Sequence, residues 1–486
     1  MTLSNNSQRS QYSLPLLSKL EQLAQSADTP FYCPGHKRGQ GTSSALLNVF
    51  GHSVFQADLP ELPELDNLFA PTGVIAEAQA LAAEAFGADK TYFLANGSTC
   101  GIMAAILATC STGDKIILPR NVHRSAIAGL ILSGAVPLFL TPEYDSQWDL
   151  NYSFPPEALA KTLSEHPDTK AVLLVYPTYQ GVCGDIKQIA AICHQRHIPL
   201  LVDEAHGPHF KFHSALPVSA LEAGADLTVQ STHKVLGAMT QASMLHLQGD
   251  RIEPERINQA LPLVQSTSPS NILLASLDAA RQQMATQGNS LLSQTIQLAA
   301  KAREAIAQIP NLSVLSFSAP TPGFQSLDQT RLTVKLDQLG WTGFDADDTL
   351  RETWQVTAEL PSLRHLTFII SLGNRDRDIN RLVEALGHLP PQAPLSSSMN
   401  FPFPPSSSYL SPREAFFAPT ESVAIADCSG RTCAETICPY PPGIPILMPG
   451  EVITEASLDY LDKISRLGAG ITGFSDSSRK TIKVIR

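Results

Sequence analysis

No stretch of this 486-residue sequence comes near the roughly 18–20 consecutive apolar residues that a membrane span requires. The N-terminus, MTLSNNSQRSQYSLP, is polar and lacks the apolar core of a secretory signal. Cytoplasm is therefore the expected location, with no membrane partner. Charge is scarce as well: Asp, Glu, Lys and Arg make up 16% of residues, and their balance is acidic, with a formal net charge of −11. An acidic surface repels phosphate backbones, which argues against nucleic acid as a partner; a cationic small molecule is compatible with it. Cysteine is sparse, with eight residues scattered along the chain, and in a long cytosolic protein such thiols read as reduced and buried. Internal repeats are absent, and so is a Walker A loop, because GK[ST] does not occur.

What is present is core-forming: 43% of residues are apolar, and the length suits about three units. The first, 1–30, contains one amphipathic helical stretch, LPLLSKLEQLAQSA. A large domain is expected over 31–288. Its apolar runs TYFLA, KIILP, VPLFL, AVLLVYP, PLLVDEA and DLTVQS read as buried strands, and GIMAAILATC and KQIAAICHQRHI between them as helices. Such alternation predicts a mostly parallel α/β sheet covered on both faces. A smaller α+β domain follows over 289–389, with a long helical pattern at LLSQTIQLAAKAREAIAQI and strand-like LSVLSF, RLTVKL and HLTFIIS. A Pro/Ser-rich linker, 390–412, leads to a C-terminal α+β unit over 413–486.

Four short segments carry candidate chemistry. Ser231-Thr232-His233-Lys234 directly follows the run DLTVQ. A lysine leaving a parallel strand sits at the carboxyl edge, where such sheets place ligands, and its amine forms Schiff bases once burial depresses its pKa. Alone, it reads better as a solvated surface lysine, since most lysines are exposed. Upstream, PLLV ends in Asp203-Glu204-Ala205-His206. An acid at a buried strand end is costly without a partner. The pyridine nitrogen of pyridoxal 5′-phosphate (PLP) would be one, and Asp203 would hold the ring cationic and electron-withdrawing. The plain alternative is an Asp capping the next turn. Taken together, Asp203 and Lys234 point to PLP. Between a strand and a helix, Asn96-Gly97-Ser98-Thr99-Cys100-Gly101 reads as a phosphate cup at a helix N-terminus or as simple capping. His123, in Asn121-Val122-His123-Arg124-Ser125, could stack on a cofactor ring or merely start a helix.

At these places the sequence resembles the Orn/Lys/Arg decarboxylases of PLP fold type I, the aspartate-aminotransferase-like fold. The motifs are FYCPGHKRG, DLPELPELDNL, NGSTCG, NVHRS, VYPTYQGVCGD, DEAHGPHF, QSTHK, STSPSN and PYPPGIPILMPGE, spread over nearly the whole chain. FYCPGHKRG begins at Phe31, leaving no room for the N-terminal wing of the longer members, so the chain is similar to the shorter ones. The resemblance implies decarboxylation of arginine, lysine or ornithine to agmatine, cadaverine or putrescine, with PLP as cofactor and at least a homodimer. It implies that Lys234 carries the cofactor, Asp203 meets the pyridine nitrogen and His123 stacks on the ring. Gly97, Ser98, Thr99, Ser231 and His233 would surround the phosphate or the cofactor face, with Ala205 and His206 beside it. The longer members often have Trp at the position of His206, which leaves its role open. Thr267 or Ser268 would reach the phosphate across a dimer interface. Glu451 and Glu435 are the candidates for the substrate's distal cation, and His233 or Lys234 for protonating Cα.

An aminotransferase would instead clamp the substrate carboxylate with an Arg fork, for which Arg364 is a candidate. A PLP-binding regulatory protein without catalysis is the third alternative, against which intact Lys234, Asp203 and His123 argue. The histidines of HGPHFKFH lack an acidic residue to complete a metal set, and Cys428, Cys433 and Cys438 read as unconnected core thiols, so no metal is expected. Substrate choice is not legible, because lysine and ornithine differ by one methylene, worth about 1–3 kcal/mol in a pocket.

Overall fold

The computed structural model describes residues 10–395, 410–440 and 442–486. The six apolar runs form β1 (Lys90–Leu94), β2 (Lys115–Pro119), β3 (Val136–Leu140), β4 (Thr169–Val175), β5 (Leu200–Asp203) and β6 (Leu227–Gln230). A seventh strand, β7 (Ser243–Leu247), joins them in the order β1-β7-β6-β5-β4-β2-β3. β2 to β6 run parallel, whereas β7 is antiparallel to both of its neighbours. Segment 231–242 holds only the short helix Thr232–Val235, too little for a parallel crossover, so the chain returns antiparallel.

Strand periodicity divides the core between the two faces. Val172, Leu174, Leu200 and Val202 pack with Phe86 and Phe93 on one side. Leu173, Leu201, Leu227 and Val229 pack with Ile106 on the other. Each such side chain contributes about 1.5–3 kcal/mol when fully buried.

Helix α1 (Pro15–Ala24) lies against the first of these clusters through Leu16 and Leu20. Its opening N–H groups, at Leu16 and Leu17, donate to the buried Asp278 carboxylate. Helix α2 (Ser44–Phe50) buries none of its residues. Helix α3 (Gly97–Thr109) sits so close to the sheet that a Cβ on Gly101 would fall 2.6 Å from Val229 Cγ1. Helix α4 (Arg124–Ser133) follows β2.

The helical pattern expected near residue 290 begins earlier. Helix α5 spans Asn271–Ala307, so the expected boundary at 288/289 falls inside it. Beyond it, β8 (Ser313–Val314), β9 (Arg331–Lys335), β10 (Leu360–Pro361) and β11 (His365–Ile369) form an antiparallel sheet, β8-β9-β11-β10, with its own apolar cluster. The centre of the expected linker, 396–409, lies outside the described residues. In the C-terminal unit, β12 (Thr420–Ala424) pairs with β13 (Thr481–Ile485), and α6 (Glu455–Arg466) covers a further cluster. Among the described residues, no helix is long and apolar enough to cross a membrane.

Candidate active site

The carboxyl ends of β1, β2, β5 and β6 deliver Ser98, His123, Asp203 and Lys234 to one cavity, at the edge where parallel sheets bind ligands. Leu360, Ser362, Leu363 and His365 close it from the antiparallel sheet; Pro442, Ile444, Ile446 and Tyr460 close it from the C-terminal unit.

Lys234 Nζ lies 3.0 Å from His206 Nε2 and 5.4 Å from the centroid of the Tyr179 ring. Burial lowers the lysine pKa, opposed by the charge of Asp203, a shift towards the nucleophilic amine. Burial, then the neighbouring Lys234, pushes His206 well below its usual range, and its ring is neutral. Its Nδ1 is buried without a hydrogen-bond partner among the described residues. The Asp203 carboxylate is raised by burial against the pull of Lys234. Its Oδ1 accepts the Ala205 N–H at 3.2 Å, and no described cation lies within ion-pair distance. His123 caps α4, its Nδ1 accepting the Ser125 N–H at 3.2 Å. Burial, then Lys234, pushes it down to about 4.

Helix α3 opens on Gly97 at φ +72, a left-handed conformation suited to glycine. Its N-cap residue, Asn96, makes no side-chain cap, so first-turn N–H groups are left for an anion. Ser231 Oγ donates to Ser98 Oγ at 2.8 Å beside this turn.

Of the residues picked from sequence, Ser98, His123, Asp203, Ala205, His206 and Lys234 line the cavity. Gly97 and Ser231 stand just behind Ser98. Thr99 and Thr267 are exposed. His233 adjoins Lys234, but its Nδ1 is engaged at 3.0 Å by the Ala242 carbonyl.

The structure engages elsewhere the two glutamates expected to meet the substrate. Neither lines the cavity. Arg120 holds Glu451 in a buried bidentate pair, Nε–Oε1 2.9 Å and Nη2–Oε2 2.8 Å, while also donating to the carbonyls of Pro445 and Ile446. Glu435 accepts the N–H groups of Ser475 at 2.8 Å and Lys483 at 3.1 Å. Both carboxylates thus brace the C-terminal unit, and Glu451 fixes the loop that carries Ile444 and Ile446. Nor does Arg364 line the cavity; its Nη1 is 3.8 Å from Asp337 Oδ2.

Tyr179 and Asp149 are among the lining residues that the sequence alone did not single out. Tyr179 lies in the motif VYPTYQG, and its hydroxyl donates to the Pro442 carbonyl at 2.8 Å. Asp149 belongs to no motif.

Family models for the Orn/Lys/Arg decarboxylase major domain and C-terminal domain match residues 14–349 and 396–479. The chain belongs to the Orn/Lys/Arg decarboxylase family. It is a decarboxylase of a basic amino acid. The arginine decarboxylase of Halalkalibacterium halodurans is 42% identical over 481 residues, covering 97% of each chain. That of Bacillus subtilis is 40% identical, covering 98% of this chain and 99% of its own. The lysine decarboxylase of Francisella novicida shares the fold at a TM-score of 0.83 and 23% identity, over 97% of this chain and 81% of that one. The ureidoglycine–glyoxylate aminotransferase of Bacillus subtilis superposes over 67% of this chain and 87% of its own, at a TM-score of 0.53 and 14% identity. The fold is thus the expected aspartate-aminotransferase-like α/β fold of type I.

Proposed function

We propose that the enzyme converts arginine to agmatine and CO2, with PLP held on Lys234, and that it works as a homodimer in the cytoplasm. Arginine is favoured because the relatives similar over nearly their whole length, at 42% and 40% identity, are arginine decarboxylases. The observation that carries the cofactor assignment is the Lys234 amine, driven towards neutrality by burial and set in one cavity with an Asp203 carboxylate that has no ion pair among the described residues.

The residues present fit PLP. Lys234 Nζ would bond its aldehyde carbon, Asp203 would answer a protonated pyridine nitrogen, and the neutral His123 ring suits a stacking partner. The uncapped start of α3, with Ser98 and Ser231, would take the phosphate. When bound, PLP supplies the electron sink that lets the Cα–carboxylate bond break.

The rest falls to this chain. Leu360, Leu363, Ile444 and Ile446 give the cavity apolar walls that exclude water and disfavour a carboxylate relative to neutral CO2. With the cofactor bound, Asp203 would hold its negative charge against the protonated ring nitrogen. Lys234 Nζ faces the cavity and is the group placed to hand a proton to substrate Cα; His233, held by the Ala242 carbonyl, is less well placed.

A homodimer is supported by apolar side chains that the single chain leaves in water: Phe31 is 92% exposed, Val49 74% and Phe50 57%, the last two on α2. The exposed Thr267 would then meet the cofactor phosphate of a second copy. Eight cysteines without a disulfide suit the cytoplasm. An assay of amine products with arginine, lysine and ornithine tests the assignment. Agmatine should dominate, and release of no amine from any of the three would end it.

A further inference from the structure

With Glu451 and Glu435 engaged elsewhere, the substrate's distal cation has no counter-ion assigned to it. Two carboxylates are found among the described residues lining the cavity, Asp203 and Asp149. They feel different charges. Asp203 feels Lys234, whereas Asp149 feels Arg364 and Lys463. Asp203 ends β5 and Asp149 stands in a hairpin turn, so separate elements deliver the two acids to one cavity. An amino acid whose Cα end lies at Lys234 and Asp203 therefore directs its side chain along a cavity in which the remaining acid is Asp149.

Asp149 closes the hairpin formed by Tyr144–Asp145 and Leu150–Asn151. Its φ of +53 is a left-handed conformation that Asp tolerates better than most residues. Oδ1 accepts the Tyr144 hydroxyl at 2.6 Å, and no described cation lies within ion-pair distance. Leu150, Leu360, Leu363 and Phe344 are among the residues lining the same cavity. Burial raises the carboxyl pKa, opposed by the Tyr144 hydroxyl. A carboxylate half removed from water, bonded among the described residues by one hydroxyl and felt by Arg364 and Lys463 only from beyond ion-pair distance, gains from a cation that arrives with the substrate.

We propose that Asp149 is the specificity residue that binds the guanidinium of the substrate. This rests on the decarboxylase function proposed above. The rival explanation is structural: an Asp kept for its left-handed turn and its Tyr144 bond. Asp149→Asn separates the two, because Asn also favours that conformation and still accepts from the hydroxyl, losing only the charge.

The test uses the PLP-loaded enzyme. Agmatine binding is measured by calorimetry, and KM and kcat are measured for arginine and for citrulline, its uncharged analogue. In Asp149→Asn, agmatine affinity should fall on the order of 100-fold, as expected for leaving one partner of a buried pair unmatched. KM for arginine should rise in step, kcat should change only a few-fold, and the preference for arginine over citrulline should collapse. Glu359→Gln is the comparison, because Glu359 influences Lys234 yet is exposed and outside the lining; it should bind agmatine as the wild type does. Unchanged agmatine binding in Asp149→Asn, loss in Glu359→Gln instead, or a wild type that does not bind agmatine would overturn the inference. A wild type that binds agmatine but releases CO2 from no basic amino acid would sink the functional assignment alone, and the binding comparison would still decide the role of Asp149.

Discussion

Asp203 and Glu204 are neighbours at the end of β5, both acidic, the first partly and the second fully out of water, and their surroundings differ in kind. Glu204 is fully satisfied. Its Oε1 accepts the Ala220 N–H at 2.7 Å and its Oε2 the Gln230 side chain at 2.7 Å; Gln230 in turn meets His246 at 3.0 Å, and His246 meets Thr91 at 2.8 Å. This chain of bonds ties β5, β6, β7 and β1 together inside the sheet. Asp203 points the other way, into the cavity, with one backbone N–H at 3.2 Å. A buried acid that is completely bonded builds the fold, whereas one left short of partners is waiting for a ligand.

The largest effect that would break this contrast is expected at Lys234. Lys234→Ala should lose at least ~1,000-fold in turnover, since the covalent attachment and the proton donor disappear together. PLP absorbance of the purified protein in the visible range should vanish with it. Next comes the pair itself. Asp203→Asn should cut kcat about 100- to 1,000-fold, the scale of losing one preorganised electrostatic group, without lowering the melting temperature, because it removes an under-bonded carboxylate. Glu204→Ala should do the reverse. It leaves two buried donors unanswered and a small void, costing about 2–5 kcal/mol in a urea melt, while lysine-bound PLP is retained below the transition. If Asp203→Asn unfolds the protein and Glu204→Ala silences it without loss of stability, the contrast is wrong.

Sequence reached much of this and stopped at identifiable points. Six strands were legible because each is an unbroken apolar run bounded by turn residues; SMLHL was not, since its role depends on the antiparallel return that the short 231–242 segment enforces. Lys234, Asp203 and His123 were legible because short motifs follow strand ends, where topology alone gathers them. The pairing of Glu451 was not legible because its partner, Arg120, is 331 residues away, and no local spacing reveals a bidentate pair across two units. Asp149 was missed because an acid in a four-residue hairpin turn looks like turn chemistry until the cavity is seen.

A smaller effect concerns pH. Burial pushes His123 and His365 down to about 4 and His246 to about 3, so the unfolded chain binds more protons than the folded one below the ordinary histidine pKa. Stability contributed by these groups is present above about pH 6.5 and lost as pH falls towards 4, at up to about 1.4 kcal/mol per pH unit per proton. Glu204 acts with the opposite sign. Burial raises it to about 8, the folded state keeps its proton longer, and its contribution is lost as pH rises from about 4.5 to 8. Urea melts across pH 4–9 should therefore show an alkaline decline that Glu204→Ala abolishes and Asp203→Asn retains.

The covalent role of Lys234 is tested most directly by reducing PLP-loaded protein with borohydride, digesting it and mapping the pyridoxyl group by mass spectrometry. The modification should fall on the peptide containing Lys234 and on no other lysine, and Asp203→Asn should keep it there. A pyridoxyl group on a different lysine, or none on a protein that still releases CO2 from arginine, would contradict the account.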